Sequence, residues 1–137
     1  MTASYSVEKA EIEATIFAYF EALNHGDVDA AMGLYAENPV QLPFLQSTVV
    51  GTEAVRSAYQ DLFRLVRFEM HTKVEELVRM SSEWAFVRTE SGGMLIPINT
   101  GQASPATFHE LFLLHKNTEG KWRIARYSFS PTAPLPG

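Results

Sequence analysis

The chain has 137 residues, of which 46% are hydrophobic and 20% charged, with a formal net charge of −5 and no cysteine. That length suits one domain with a single core, and the composition excludes a disordered chain. The acidic balance argues against a nucleic-acid partner, and the lack of cysteine excludes disulfides, thiolate catalysis and a thiolate-held metal.

Met1 to Glu11 is polar and carries acids, unlike a secretory or transit leader. No apolar run approaches the roughly 18 residues of a membrane helix, so a cytoplasmic protein with no membrane partner is expected. The first helix is predicted from about Ser6 to His25. Ile12, Ile16, Tyr19, Phe20 and Leu23 form its apolar stripe, and Gly26 is its stop. Asp27 is positioned to cap a second helix from Val28 to about Tyr35, broken by Asn38-Pro39. Short extended pieces follow at Pro39–Leu45 and Ser47–Val50. Thr52 is expected to cap a third helix with Val55, Tyr59, Leu62, Phe63 and Val66 on its apolar stripe.

Beyond residue 67 the period becomes two. Phe68, Met70, Thr72 and Val74 share one side before the pattern slips at a bulge. A strand is predicted from Trp84 to Ser91, ended by Gly92-Gly93, with an irregular stretch over 94–106. Thr107–Lys116 and Lys121–Ser130 are strands joined by the hairpin turn Asn117-Thr118-Glu119-Gly120. Helices followed by an antiparallel meander make an α+β domain. It is a single domain over 1–137, with its core at about 8–131 and a flexible, proline-rich tail over 131–137.

The run from Tyr19 to Ala31, with Tyr19-Phe20-Glu21-Ala22-Leu23-Asn24 at its head, resembles the first two helices of the nuclear transport factor 2-like superfamily. That superfamily includes the ketosteroid isomerases and the SnoaL-like cyclases. Val50 to Arg56 resembles its third-helix start, and Gly120 to Tyr127 its final hairpin. Val87 to Gly92 with Glu110 to Leu113 is similar to the narrower SgcJ/EcaC-type group. The resemblance implies a cystatin-like cone: three N-terminal helices packed on a curved antiparallel or mixed sheet that encloses a pocket. It does not fix the chemistry, because this fold carries many functions.

In the ketosteroid isomerases a first-helix tyrosine helps form the oxyanion hole, and Tyr19 matches it. A buried phenol also needs a partner on general grounds. The isomerase base falls in Val40-Gln41-Leu42-Pro43, at Leu42 or Pro43, neither of which takes a proton. The second oxyanion-hole acid matches His109. With one part missing and one altered, ketosteroid isomerase activity is not expected. By the resemblance, the side of the strand carrying Phe86, Arg88 and Glu90 lines the pocket. His109, Leu111 and Leu113 join it from the next strand, and Ala125, Tyr127 and Phe129 from the last.

Arg88 then pairs inside the protein with Glu90 or Glu110, or docks a ligand carboxylate or enolate on its fork. Glu90 and His109 are the alternative acid–base groups, with Tyr19 as the third catalytic candidate. Arg88, Tyr127, Phe86, Leu111 and Phe129 are the binding candidates. No histidine pair or carboxylate cluster has metal-site spacing, and the order of elements excludes a dinucleotide fold, so no metal or cofactor is expected. The partner is a small, partly apolar oxygenated molecule. Either the chain moves a proton on it, in isomerisation, cyclisation or dehydration, or it binds without turnover. Trp122, Ile124, Phe108, Phe112 and Leu114 are assigned to the side away from the pocket. With both sheet faces apolar, a homodimer is expected.

Overall fold

A computed structural model describes residues 4–135. The first helix, α1, spans Tyr5–His25. Ser4 accepts a hydrogen bond from Val7 N at 3.3 Å, and Gly26, at φ 62°, ends the helix in the left-handed conformation a glycine adopts without strain. Its predicted stripe is buried: Ile12 and Ile16 are wholly covered, with Tyr19, Phe20 and Leu23 beside them. Helix α2 spans only Val28–Met32, capped by Asp27 through Ala30 N at 3.0 Å. It is shorter than its sequence pattern because Tyr35 already begins the strand β1, Tyr35–Leu42. Asn38-Pro39 does not separate two elements. Asn38 sits at φ 54° inside β1, where the register against its neighbour shifts.

Strand β2, Val49–Val50, leads into helix α3, Thr52–Leu65. Its cap is Gly51, and Thr52 is already the first helical residue. The meander follows as β3 (Val66–Arg79), β4 (Trp84–Pro97), β5 (Ser104–Lys116) and β6 (Trp122–Pro131). The sheet order is β2-β1-β6-β5-β4-β3, antiparallel except for the parallel pair of β1 and β6. The expected slip in β3 is a register shift between Val74 and Glu76. Gly92-Gly93 does not end β4. The strand runs on through both, and a Cβ on Gly93 would lie 2.0 Å from the Glu69 carbonyl oxygen. Gly93 is therefore a point of close approach between β3 and β4.

The facing of the central strands is the reverse of the sequence expectation. Ala85, Val87, Thr89 and Ser91 are buried on the inner side of β4, while Arg88 and Glu90 are exposed. On β5 the inner residues are Glu110, Phe112 and Leu114, and His109 and Leu111 face out. The inner side of β4 carries only small or β-branched side chains. Trp84 and Phe86 take the other side, and one step of parity inverts every side chain of a strand. Trp122, Ile124, Phe112 and Leu114 are accordingly core residues under α1, not an outer patch. Each such side chain contributes about 1.5–3 kcal/mol by leaving water. The tail is not wholly free: Thr132 N donates to Thr107 O at 2.9 Å, and Leu135 reaches the pocket mouth. Pro136 and Gly137 lie outside the described residues, as do Met1 to Ala3.

Candidate functional site

Between α1, α3 and the concave side of the sheet lies a cavity of about 260 Å³. Its walls are largely apolar. Phe20 and Leu23 come from α1, Leu62 from α3, Phe68 and Met70 from β3, and Phe108 and Phe129 from β5 and β6. Pro43, Phe44 and Gln46, after β1, line the cavity with Leu135. A few polar groups converge in this apolar space, the usual make-up of a small-molecule site. They are Tyr19, Tyr59, Tyr127, Gln41, Gln46 and Glu110.

Glu110 is the carboxylate of this lining, and it is 5% exposed. Two hydroxyls on β4 hold one of its oxygens: Thr89 Oγ1 donates to Oε1 at 2.6 Å and Ser91 Oγ at 3.0 Å. Ser91 in turn lies 2.9 Å from Thr72 Oγ1. Ser91 gives its proton to Glu110, so Thr72 donates to Ser91. With Oε1 accepting twice, any proton on the carboxyl resides on Oε2, which has no side-chain partner among the described residues. Burial raises the Glu110 pKa above the ordinary carboxylate value, and the two hydroxyl hydrogen bonds oppose the shift.

Beside it runs a chain of phenols. The Tyr59 hydroxyl is 2.6 Å from both the Tyr19 and the Tyr35 hydroxyl, and Gln41 Nε2 donates to it at 3.3 Å. Tyr35 has no other partner among the described residues, so its proton goes to Tyr59. With Gln41 also donating, Tyr59 passes its single proton to Tyr19. Tyr19, which lines the cavity beside Tyr127, then keeps its own proton for a partner other than Tyr59. Burial pushes the Tyr19 pKa up to about 12 against the opposing Tyr59 hydrogen bond, and burial likewise drives Tyr35, Tyr59 and Tyr127 well above the usual phenol range. All four are neutral donors at physiological pH. Tyr127 stacks on Phe112, ring centroids 4.4 Å apart, and meets Tyr19 edge-on at 5.3 Å.

Of the residues singled out from sequence, Tyr19, Tyr127 and Phe129 lie in this wall. Arg88, Glu90, His109, Phe86 and Leu111 do not: they belong to the outer side of the sheet, away from this cavity. Arg88 pairs with Glu76 at 3.2 Å, both about half exposed, rather than with Glu90 or Glu110. In the stretch where the isomerase base was sought, Gln41 and Pro43 line the cavity, while Leu42 is 44% exposed. On β5 the carboxylate in the cavity lining is Glu110, while His109 faces out. The sequence carried one sign of this. Phe108, Glu110, Phe112 and Leu114 alternate as a mostly aromatic and aliphatic set interrupted by one acid. Tyr59 stood on the predicted α3 stripe, but its meeting with Tyr35 and Gln41 depends on packing α3 against β1. Among the described residues no group of three histidines or acids is placed to hold a metal, and no helix is long and apolar enough to cross a membrane.

The comparisons agree with this architecture. The chain is similar to a ketosteroid isomerase-like protein from Erwinia carotovora atroseptica at 36% identity, covering 91% of this chain and 96% of that one with a TM-score of 0.87. It is similar in fold to a candidate scytalone dehydratase from Novosphingobium aromaticivorans, at 17% identity, 93% and 85% coverage and a TM-score of 0.83. A Nostoc punctiforme protein of unknown function with a cystatin-like fold matches over 99% and 98% of the two chains, at 14% identity and a TM-score of 0.76. No protein of curated function matches. Residues 16–125 match the SnoaL-like domain, most of the described chain. The chain therefore belongs to the SnoaL-like domain family, a branch of the nuclear transport factor 2-like fold.

Proposed function

We propose that the cavity binds a small, uncharged, partly apolar molecule carrying a carbonyl or hydroxyl oxygen, and that Glu110 moves a proton on it. The observation that carries this reading is Glu110 itself, an acid aimed into an apolar cavity with Oε1 fixed by two hydroxyls and Oε2 left to a ligand. Tyr19 holds the substrate oxygen and stabilises the charge that develops on it. Oε2 takes the proton from the neighbouring carbon and returns it elsewhere on the same molecule. Its raised pKa makes it a stronger base than an exposed glutamate. Isomerisation, cyclisation and dehydration all begin with such a step, and the ketosteroid isomerase-like and scytalone dehydratase-like neighbours accord with that class.

An uncharged ligand is favoured because the described lining holds no lysine, arginine or histidine. A carboxylate or phosphate would meet Glu110 with no counter-charge to offset its loss of water. The test is deuterium exchange into the α-position of 2-tetralone, followed by proton NMR. Wild type should accelerate exchange, and Glu110→Gln should lose about 100-fold or more. Binding of the ketone with no enzyme-dependent exchange would instead make this a ligand-binding protein without turnover.

We further propose a homodimer joined through the outer side of the sheet. In support, Leu111 is 50% and Trp84 39% exposed there. Light scattering should give twice the chain mass for wild type and the chain mass for Leu111→Asp.

A further inference from the structure

We infer that Gln41 is a polarity selector, setting whether the cavity offers a hydrogen-bond donor or acceptor to the oxygen of its ligand. The inference rests on the cavity being a binding site, as proposed above. Gln41 is 6% exposed and lies in the cavity wall, with Nε2 3.3 Å from the Tyr59 hydroxyl. Its Oε1 has no side-chain partner among the described residues. The Tyr59 hydroxyl is surrounded by Gln41, Tyr19 and Tyr35. A phenol donates once and accepts twice, so three neighbours saturate it.

Two arrangements satisfy that count. Tyr35 donates to Tyr59 in both, since it has no other partner among the described residues and a buried phenol proton left unpaired is costly. In the first, Gln41 Nε2 also donates to Tyr59, and Tyr59 donates to Tyr19. Tyr19 then offers its proton to the cavity, and Gln41 offers its carbonyl oxygen. Half a turn of the carboxamide places oxygen where nitrogen stood, with almost no change of shape. In the second arrangement Tyr59 donates to Gln41 Oε1 and accepts from Tyr19. Tyr19 then offers a lone pair, and Gln41 offers an N–H.

Each arrangement presents one donor and one acceptor at exchanged positions, with the Tyr59 hydroxyl fully paired. A ligand carbonyl selects the first at Tyr19, and a ligand hydroxyl can donate to Tyr19 in the second. The ligand class is therefore a molecule that occurs as both ketone and enol or alcohol, held in either form with no movement of the backbone. A fixed donor would hold only one form well.

Isothermal calorimetry with 9-fluorenone and 9-fluorenol tests this. The two share a carbon skeleton, and the ketone has no enolisable hydrogen. The pH is held below the Glu110 midpoint, where Oε2 carries a proton and no longer accepts as a carboxylate. Wild type should bind both. Gln41→Met and Gln41→Leu remove the selector and leave Tyr59 donating to Tyr19, which fixes Tyr19 as a donor. Fluorenone affinity should stay within about twofold, while fluorenol should weaken about tenfold as its own proton loses its acceptor. Tyr35→Phe removes a neighbour of Tyr59 but leaves both arrangements open, so the ratio of the two affinities should not move. Equal weakening of both probes in the Gln41 variants, or a ratio shift in Tyr35→Phe, overturns the inference and leaves the binding site standing. Failure of wild type to bind either probe removes the binding site, and this inference with it.

Discussion

Asn24 and Met70 are joined by two reciprocal hydrogen bonds: Asn24 Nδ2 donates to Met70 O at 2.9 Å, and Met70 N donates to Asn24 Oδ1 at 2.9 Å. Met70 lies on β3, the edge strand of the sheet, and its outward peptide groups have no neighbouring strand. The Asn24 carboxamide stands in for that strand. It fastens the last turn of α1 to the sheet beside two lining residues, Leu23 and Met70. Asn24→Ala leaves both groups to water or to nothing. It should cost about 2 kcal/mol in urea unfolding. Asn24→Asp keeps the acceptor and loses the donor, so it should fall between wild type and alanine.

Gly92 and Gly93 are adjacent but not equivalent. A Cβ on Gly93 would stand 2.0 Å from the Glu69 carbonyl oxygen, so β3 and β4 would have to part. On Gly92 a Cβ would rest 3.8 Å from Thr107 Cγ2, an ordinary contact. Gly93→Ala should therefore cost about 3 kcal/mol or prevent folding, and Gly92→Ala should stay within about 0.5 kcal/mol, both read from thermal unfolding. The pair isolates close strand approach from glycine flexibility, which the two substitutions remove alike.

The sequence made the elements legible and the parity of the strands not. The stripe of α1, the capping of α2 by Asp27 and the turn at Asn117 all follow from local rules. Local spacing cannot say which side of β4 meets a helix. Its two sides read Trp84, Phe86, Arg88, Glu90 and Ala85, Val87, Thr89, Ser91, and the bulkier set looks like the core. The choice is made by what packs against each side, a tertiary fact. That error carried Arg88, Glu90 and His109 into the expected site and left Glu110 outside it. Tyr19 escaped because the α1 stripe has one apolar reading, whereas β6 has two apolar sides and a register shift opposite Leu113 and Leu114 brings Trp122, Ile124 and Tyr127 into one core.

Arg88 now carries a prediction opposite to the one its sequence suggests. Its partner is Glu76 at 3.2 Å, and both side chains are about half exposed. Exposed pairs of this kind are worth at most about 1 kcal/mol after screening by water and salt. Arg88→Ala should shift stability by no more than that in urea unfolding. It should also leave the affinity for an uncharged ketone unchanged, because the side chain lies across the sheet from the cavity. A loss of affinity with normal stability would put the ligand on the outer side.

Glu110 gives the protein a pH dependence of defined sign. Its pKa is raised in the folded state by burial, above the value it has when unfolded. Between the two values the folded chain therefore binds more protons than the unfolded chain. The favourable contribution is fully present below the unfolded value and is lost as pH rises through the folded value, at up to about 1.4 kcal/mol per pH unit. Glu110→Gln keeps an oxygen to accept from Thr89 and Ser91 and removes the titration. The melting temperature of this variant minus that of wild type should thus rise with pH from the normal glutamate range upward, then level off once wild-type Glu110 is ionised. The same midpoint should appear as the ascending limb of the exchange rate if Oε2 is the base, since only the ionised form takes a proton. A difference that is flat with pH would mean that Glu110 is not held in the low-polarity surroundings its position describes.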